Sequence, residues 1–182
     1  MRLASRAGRS AGFSMIEVLV TVVITAIGLL GLAKMQAAAL GNTHVARVRS
    51  LIALQAESLA TMMQANRAYW AAATVPARVV MQGNAVTESG AGNPLNTPAN
   101  CRDSACNPAQ LAAADLQAWA AAMQARFPGY GAVLDCVNMA APPVSCSVTV
   151  SWGEKYVAMH RNTALGAQAQ TSVQRFTLHI QP

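Results

Sequence analysis

The sequence predicts an α+β protein in which a long N-terminal helix packs on a small antiparallel sheet, with one additional helix. Three observations carry that prediction. No proline interrupts residues 13 to 68, and apolar residues recur there at helical spacing. A second helical pattern, from Asn107 to Phe127, lies between clear start and stop signals. After it the apolar period changes to two.

The chain opens with a short leader, residues 1–12, that carries Arg2, Arg6 and Arg9 and ends at Gly12. Phe13-Ser14-Met15-Ile16-Glu17 follows, then an uncharged run from Val18 to Ala33. Phe13 to Met35 forms about 34 Å of helix at 1.5 Å per residue, enough to span a bilayer. Glu17 does not belong in such a segment. An ionised carboxylate deep in a bilayer costs on the order of 2.5 kcal/mol or more, so an intramembrane acid signals function. Cleavage between Gly12 and Phe13 would create an α-ammonium four residues before Glu17, and the same carboxylate could neutralise the ammonium of a neighbouring subunit. Poorly hydrated charges attract more strongly than surface ones.

Beyond the anchor, residues 36–70 continue the helix as an amphipathic half. At 100° per residue, Val48, Leu51, Ile52, Leu59, Met62 and Met63 share one face, Glu57 and Gln64 lie opposite, and Arg49 and Arg67 flank it. That face needs a partner, and a sheet in the same chain is the simplest. Gly28 and Gly31 are weak points worth roughly 1 kcal/mol each relative to Ala in a soluble helix. They either permit close helix approach or are tolerated small residues of a span.

Residues 71–182 form the head. Gly83 to Asn100, rich in Gly, Asn, Pro and Thr, reads as an exposed loop. Asn107-Pro108-Ala109-Gln110 supplies an N-cap, a proline at the first helical position and a glutamine at the third, and Pro128-Gly129 ends the helix that follows. Its Leu116, Trp119, Ala120, Met123 and Phe127 read as core. Val144, Cys146, Val148, Val150 and Trp152 alternate with Ser145, Ser147, Thr149 and Ser151, as in a half-buried strand. Residues 131–137 and 175–180 are its expected antiparallel companions.

Four cysteines in an exported chain permit three pairings. Cys101 with Cys106 closes a loop before the second helix, and Cys136 with Cys146 staples neighbouring strands; an oxidising compartment would form both. Zinc is the rival reading, weakened by the absence of tight C-x₂-C pairs. His44, His160 and His179 are isolated, no H-E-x-x-H or G-x-S-x-G motif occurs, and of the conceivable acid pair Asp103 and Asp115, Asp115 on the second helix reads more simply as solvated. The expectation is therefore no enzyme, catalytic residue, cofactor or metal. The leader takes three of the 13 basic residues, leaving ten against seven acids, and the remaining arginines are scattered. That pattern argues against nucleic-acid binding.

Gly12-Phe13-Ser14-Met15-Ile16-Glu17-Val18-Leu19-Val20 resembles the class III signal of type IV pilins and pseudopilins. Residues 26–32 (Ala26-Ile27-Gly28-Leu29-Leu30-Gly31-Leu32), 63–67 (Met63 to Arg67), 106–111 (Cys106 to Leu111), 115–119 (Asp115 to Trp119) and 128–131 (Pro128 to Gly131) are similar to the PilV minor pilins, the type IV pilus modification proteins. The resemblance implies a pilin-like fold and cutting after Gly12 by a prepilin peptidase that also N-methylates Phe13. It further implies a register role for Glu17 between subunits, and major and other minor pilins as partners. An inner-membrane anchor would hold the head in the periplasm until assembly carries it into the extracellular pilus. The implied function is pilus assembly through a priming or tip complex, and with it attachment and twitching motility.

Competing readings each make a distinct prediction. An ordinary secretory signal would be cut after Ala37-Ala38-Ala39, but a hydrophobic core opening with an acid is poor signal design. A plain single-pass anchor would not be cut at all. A type II secretion pseudopilin shares the first 35 residues, and an adhesin or DNA receptor would use the loop from Gly83 to Cys106.

Overall fold

The computed structural model describes residues 12–72, 74–89, 94–137, 144–155 and 171–182. The chain divides into two compact units, residues 1–44 and 45–182. Helix α1, Met15–Ala65, contributes to both.

In the second unit, five strands form one antiparallel sheet: β1 (Arg78–Gln82), β2 (Ala85–Glu88), β3 (Gly131–Val137), β4 (Ser145–Lys155) and β5 (Thr171–Ile180). Their order is β2-β1-β3-β4-β5. The alternation read from Val144 to Trp152 is the inward face of β4, where Cys146, Val148, Val150 and Trp152 are buried. Both expected companions pair with it, β3 through Leu134 opposite Val148 and β5 through Leu178 opposite Val148. Helix α3, Pro108–Arg126, begins at a capping box: the Asn107 side chain accepts from the Gln110 amide, and the Gln110 side chain accepts from the Asn107 amide.

The core combines the inward sheet face with Ile52, Ala56, Leu59, Ala60 and Met63 of α1 and with Ala113, Leu116, Trp119, Ala120 and Met123 of α3. Each fully buried large aliphatic side chain contributes about 1.5–3 kcal/mol. Directional bonds tie the layers. The Trp119 indole donates to the Gln55 carbonyl at 2.9 Å, joining α3 to α1. The buried Tyr130 hydroxyl lies 3.0 Å from the Gly83 carbonyl and 3.3 Å from that of Ala120, and burial pushes its pKa up to about 12.

Two expectations need correction. The long helix does not run unbroken to Ala68: Asn66 leaves helical geometry at φ −108° and ψ 53°, and a one-turn helix α2, Arg67–Trp70, follows. The buried Asn66 amide donates to the Pro108 carbonyl at 2.8 Å, a tertiary bond that competes with helix continuation. Nor is the segment from Gly83 to Asn100 a plain exposed loop. It contains β2 and a 3₁₀ turn at Pro94–Asn96, and it buries Val86 and Leu95 completely or nearly so. Gly83, at φ 60°, opens the two-residue Gly83-Asn84 connection between β1 and β2, a conformation glycine adopts without steric cost.

At the far end of β4, Glu154 is only 7% exposed and makes a bidentate ion pair with Arg49 of α1. Arg49 Nε and Nη2 each donate at 2.8 Å, and the Trp152 indole adds a third bond at 3.1 Å. The Arg49 bond leads in lowering the Glu154 pKa, against the opposing effect of burial. A lowered folded pKa means that the stabilisation is complete above the unfolded carboxylate value of about 4.3 and is lost as pH falls through the folded value. Glu154→Gln is therefore expected to be less stable than wild type at pH 7, with the gap closing under strong acid. Chemical denaturation of both proteins between pH 7 and pH 2.5 measures it, and a constant gap contradicts it.

Candidate processing and assembly site

The residues singled out at the N-terminus lie on an open helix end. Phe13 is 81% exposed, Glu17 is exposed, and so are Val18 to Leu32. Helix α1 starts with the Ser14 carbonyl accepting from the Glu17 amide at 3.0 Å and the Val18 amide at 3.3 Å. Glu17 thus falls in the first turn, where the amide-rich end of a helix stabilises a carboxylate. Ser14 to Glu17 also spells S-x-x-E, a helix-start signal that the pattern reading missed.

Beyond Glu17 this half of the helix offers little that water would have to solvate. The hydroxyls of Thr21 and Thr25 fold back onto the carbonyls of Val18 and Thr21, each at 2.9 Å. Such internal bonding suits a helix in lipid or among other apolar helices. The helix is long and apolar enough to cross a bilayer. An exposed apolar surface of this extent marks a membrane or an interface.

Glycine at position 12 is not demanded by packing within the chain. Among the described residues, a β-carbon built there meets nothing within 4 Å, and the same holds at Gly28 and Gly31. Gly12 and Phe13 are both exposed.

The other singled-out residues stand apart from this segment in the sequence. Cys101 joins Cys106, with Cα atoms 5.4 Å apart, in a loop where Asn100 donates to Asp103 and accepts from the Ser104 hydroxyl. Cys136 joins Cys146 directly opposite it on β3 and β4, with Cα atoms 4.0 Å apart, and both are buried. His44 on α1 and His179 on β5 are exposed; His160 lies outside the described residues. Asp115 is half-buried rather than fully solvated, and desolvation raises its pKa. No group of three or more His, Cys, Asp or Glu is arranged to hold a metal ion among the described residues.

Residues 8–33 match the prokaryotic N-terminal methylation motif. Comparison with curated proteins and with solved structures gives no match. The motif supports a type IV pilin-like or pseudopilin protein, structural rather than enzymatic. It also implies processing by a prepilin peptidase and assembly with other pilins. The apolar helix fits a membrane anchor.

Proposed function

We propose that this chain is a minor pilin of the PilV type that takes part in type IV pilus assembly through a priming or tip complex, and thereby in attachment and twitching motility. The observation that carries the proposal is the register of Gly12, Phe13 and Glu17 ahead of an exposed apolar helix, within the matched methylation motif. Residues 1–12 are the leader, residues 13–35 the membrane and filament-core half of the helix, residues 36–70 its amphipathic half, and residues 71–182 the head. Gly12 sets the cut, and Phe13 becomes the methylated N-terminus. Glu17 pairs with the ammonium of a neighbouring Phe13 and sets axial register. The span first dissolves in lipid and then packs among other helices, an exchange of one apolar environment for another. The disulfides at Cys101–Cys106 and Cys136–Cys146 brace the head in the periplasm and on the extracellular filament.

Glu17→Val tests the register role. Without the carboxylate a subunit keeps its cleavage site and its anchor but loses an ion pair worth on the order of a few kcal/mol in a poorly hydrated setting. The variant is expected to be cut and methylated like wild type yet to be depleted at least tenfold from sheared filaments; undiminished incorporation refutes the role. The methylation motif is equally at home in a pseudopilin of a type II secretion system. A deletion strain separates the two, because loss of piliation supports the minor pilin and loss of secretion with intact pili supports the pseudopilin.

A further inference from the structure

We infer that the ion pair between Arg49 and Glu154 is a register key: it selects one axial position of helix α1 against the sheet. The inference is independent of the pilin reading and concerns the unit of residues 45–182 alone.

The apolar contact between α1 and the sheet does not by itself specify that position well. Val45, Val48, Ile52, Ala56, Leu59, Ala60 and Met63 recur at three- and four-residue steps, and the strand face beneath presents Cys146, Val148, Val150 and Trp152. Sliding the helix by one turn, about 5.4 Å, puts Ile52, Ala56, Ala60 and Met63 where Val48, Ile52, Ala56 and Leu59 stood, so the middle of the apolar face is matched by apolar residues again. The hydrophobic effect is non-directional and distinguishes such positions only through differences in packing volume.

The carboxylate distinguishes them by charge. Glu154 is buried and both its oxygens accept bonds from one planar guanidinium, an arrangement with little tolerance for displacement. One turn away from Arg49 the helix offers Val45, Ala46, Ile52 and Ala53. A slip in either direction therefore presents an uncharged side chain to Glu154 and leaves the carboxylate with the Trp152 indole on β4. Opposite it, β5 contributes Ser172, an uncharged residue whose hydroxyl oxygen accepts from the Gln174 side-chain amide. A buried charged or polar pair used in this way sets register at some cost in stability, as a single polar residue does in a coiled coil. The asymmetry of the pair fits that role: the Arg49 side chain is 53% exposed, so the helix brings the cation while the sheet alone carries the buried charge.

The test uses the full chain in detergent micelles with spin labels on keto-bearing residues at Glu57 and His179, which flank an open groove between α1 and β5. These labels avoid the disulfides, and pulsed dipolar spectroscopy reads the distance across the groove. Wild type is expected to give one distance. Arg49→Ala combined with Ala53→Arg moves the cation by one turn, and a register key then produces a second population displaced by about 5 Å along the helix. The apolar double variant Arg49→Met with Glu154→Leu is expected to broaden into at least two populations while remaining folded. Glu154→Gln, which keeps the side-chain volume, decides the matter if either double variant unfolds: a displaced minor population supports the key. A single distance matching wild type in every folded variant overturns it.

Discussion

A chain carrying Gly12→Val is expected to accumulate in membranes uncut, with its leader attached and Phe13 unmethylated, while the wild-type chain begins at N-methylated Phe13. The effect is all or none because the substitution acts on the enzyme that reads the bond rather than on the fold. A β-carbon at position 12 meets nothing within 4 Å among the described residues, so their packing tolerates it. A peptidase that requires the residue before the cut to be glycine does not. The mass of the N-terminal peptide from membrane-purified protein measures this directly. A wild-type start at Leu40 would mean cleavage after Ala37-Ala38-Ala39 by an ordinary signal peptidase, and an intact Met1 would mean a plain anchor. Either result removes the pilin reading.

Trp119→Ala is expected to lower the stability of the head by about 3–5 kcal/mol, a large share of the 5–15 kcal/mol typical of a folded domain. Three contributions disappear together. The indole is buried between the helices, its ring meets Tyr130 edge to face at 5.9 Å, and its N–H donates to the Gln55 carbonyl. The carbonyl acceptor lies in mid-helix, so the greater part of the loss comes from the cavity and the lost ring contact rather than from the hydrogen bond. Amide exchange of β3 and β4 under increasing denaturant, on the full chain in detergent, gives the change. Val173→Ala on the exposed side of β5, where the side chain is 65% exposed, serves as the control and should move stability by less than about 0.5 kcal/mol. A comparable loss at both positions would contradict the packing of α3 against α1.

Local patterns were most legible where one rule was enough. The Asn107 to Gln110 capping box needs only four residues, and helix α3 starts there. The alternation from Val144 to Trp152 needs only one strand with a wet and a dry face, and β4 has both. The β1–β2 hairpin was missed, although Gly83-Asn84 between Val79-Val80-Met81 and Val86 is a two-residue turn signal between short apolar runs. The abundance of Gly, Asn, Pro and Thr after it obscured that signal. Leu95 was not legible: a lone apolar residue among turn formers has no period, and only its place between β2 and α3 makes it core.

The sequence by itself determined the features that depend on neighbours along the chain. These are the apolar run with its misplaced carboxylate, the glycine ahead of it, the helix start at Asn107 and the period-two strand. Each is written in a window of a few residues because its cause, such as the pitch of a helix or the pleat of a strand, acts over that window. Tertiary structure alone decided the features that depend on distant partners. Nothing near Asn66 announces that its amide will meet the Pro108 carbonyl and break the helix, and nothing near Arg49 announces a buried carboxylate 105 residues away. Burial raises the cost of an unpaired polar group, and which group is buried beside which is settled only when the sheet and both helices close on one another.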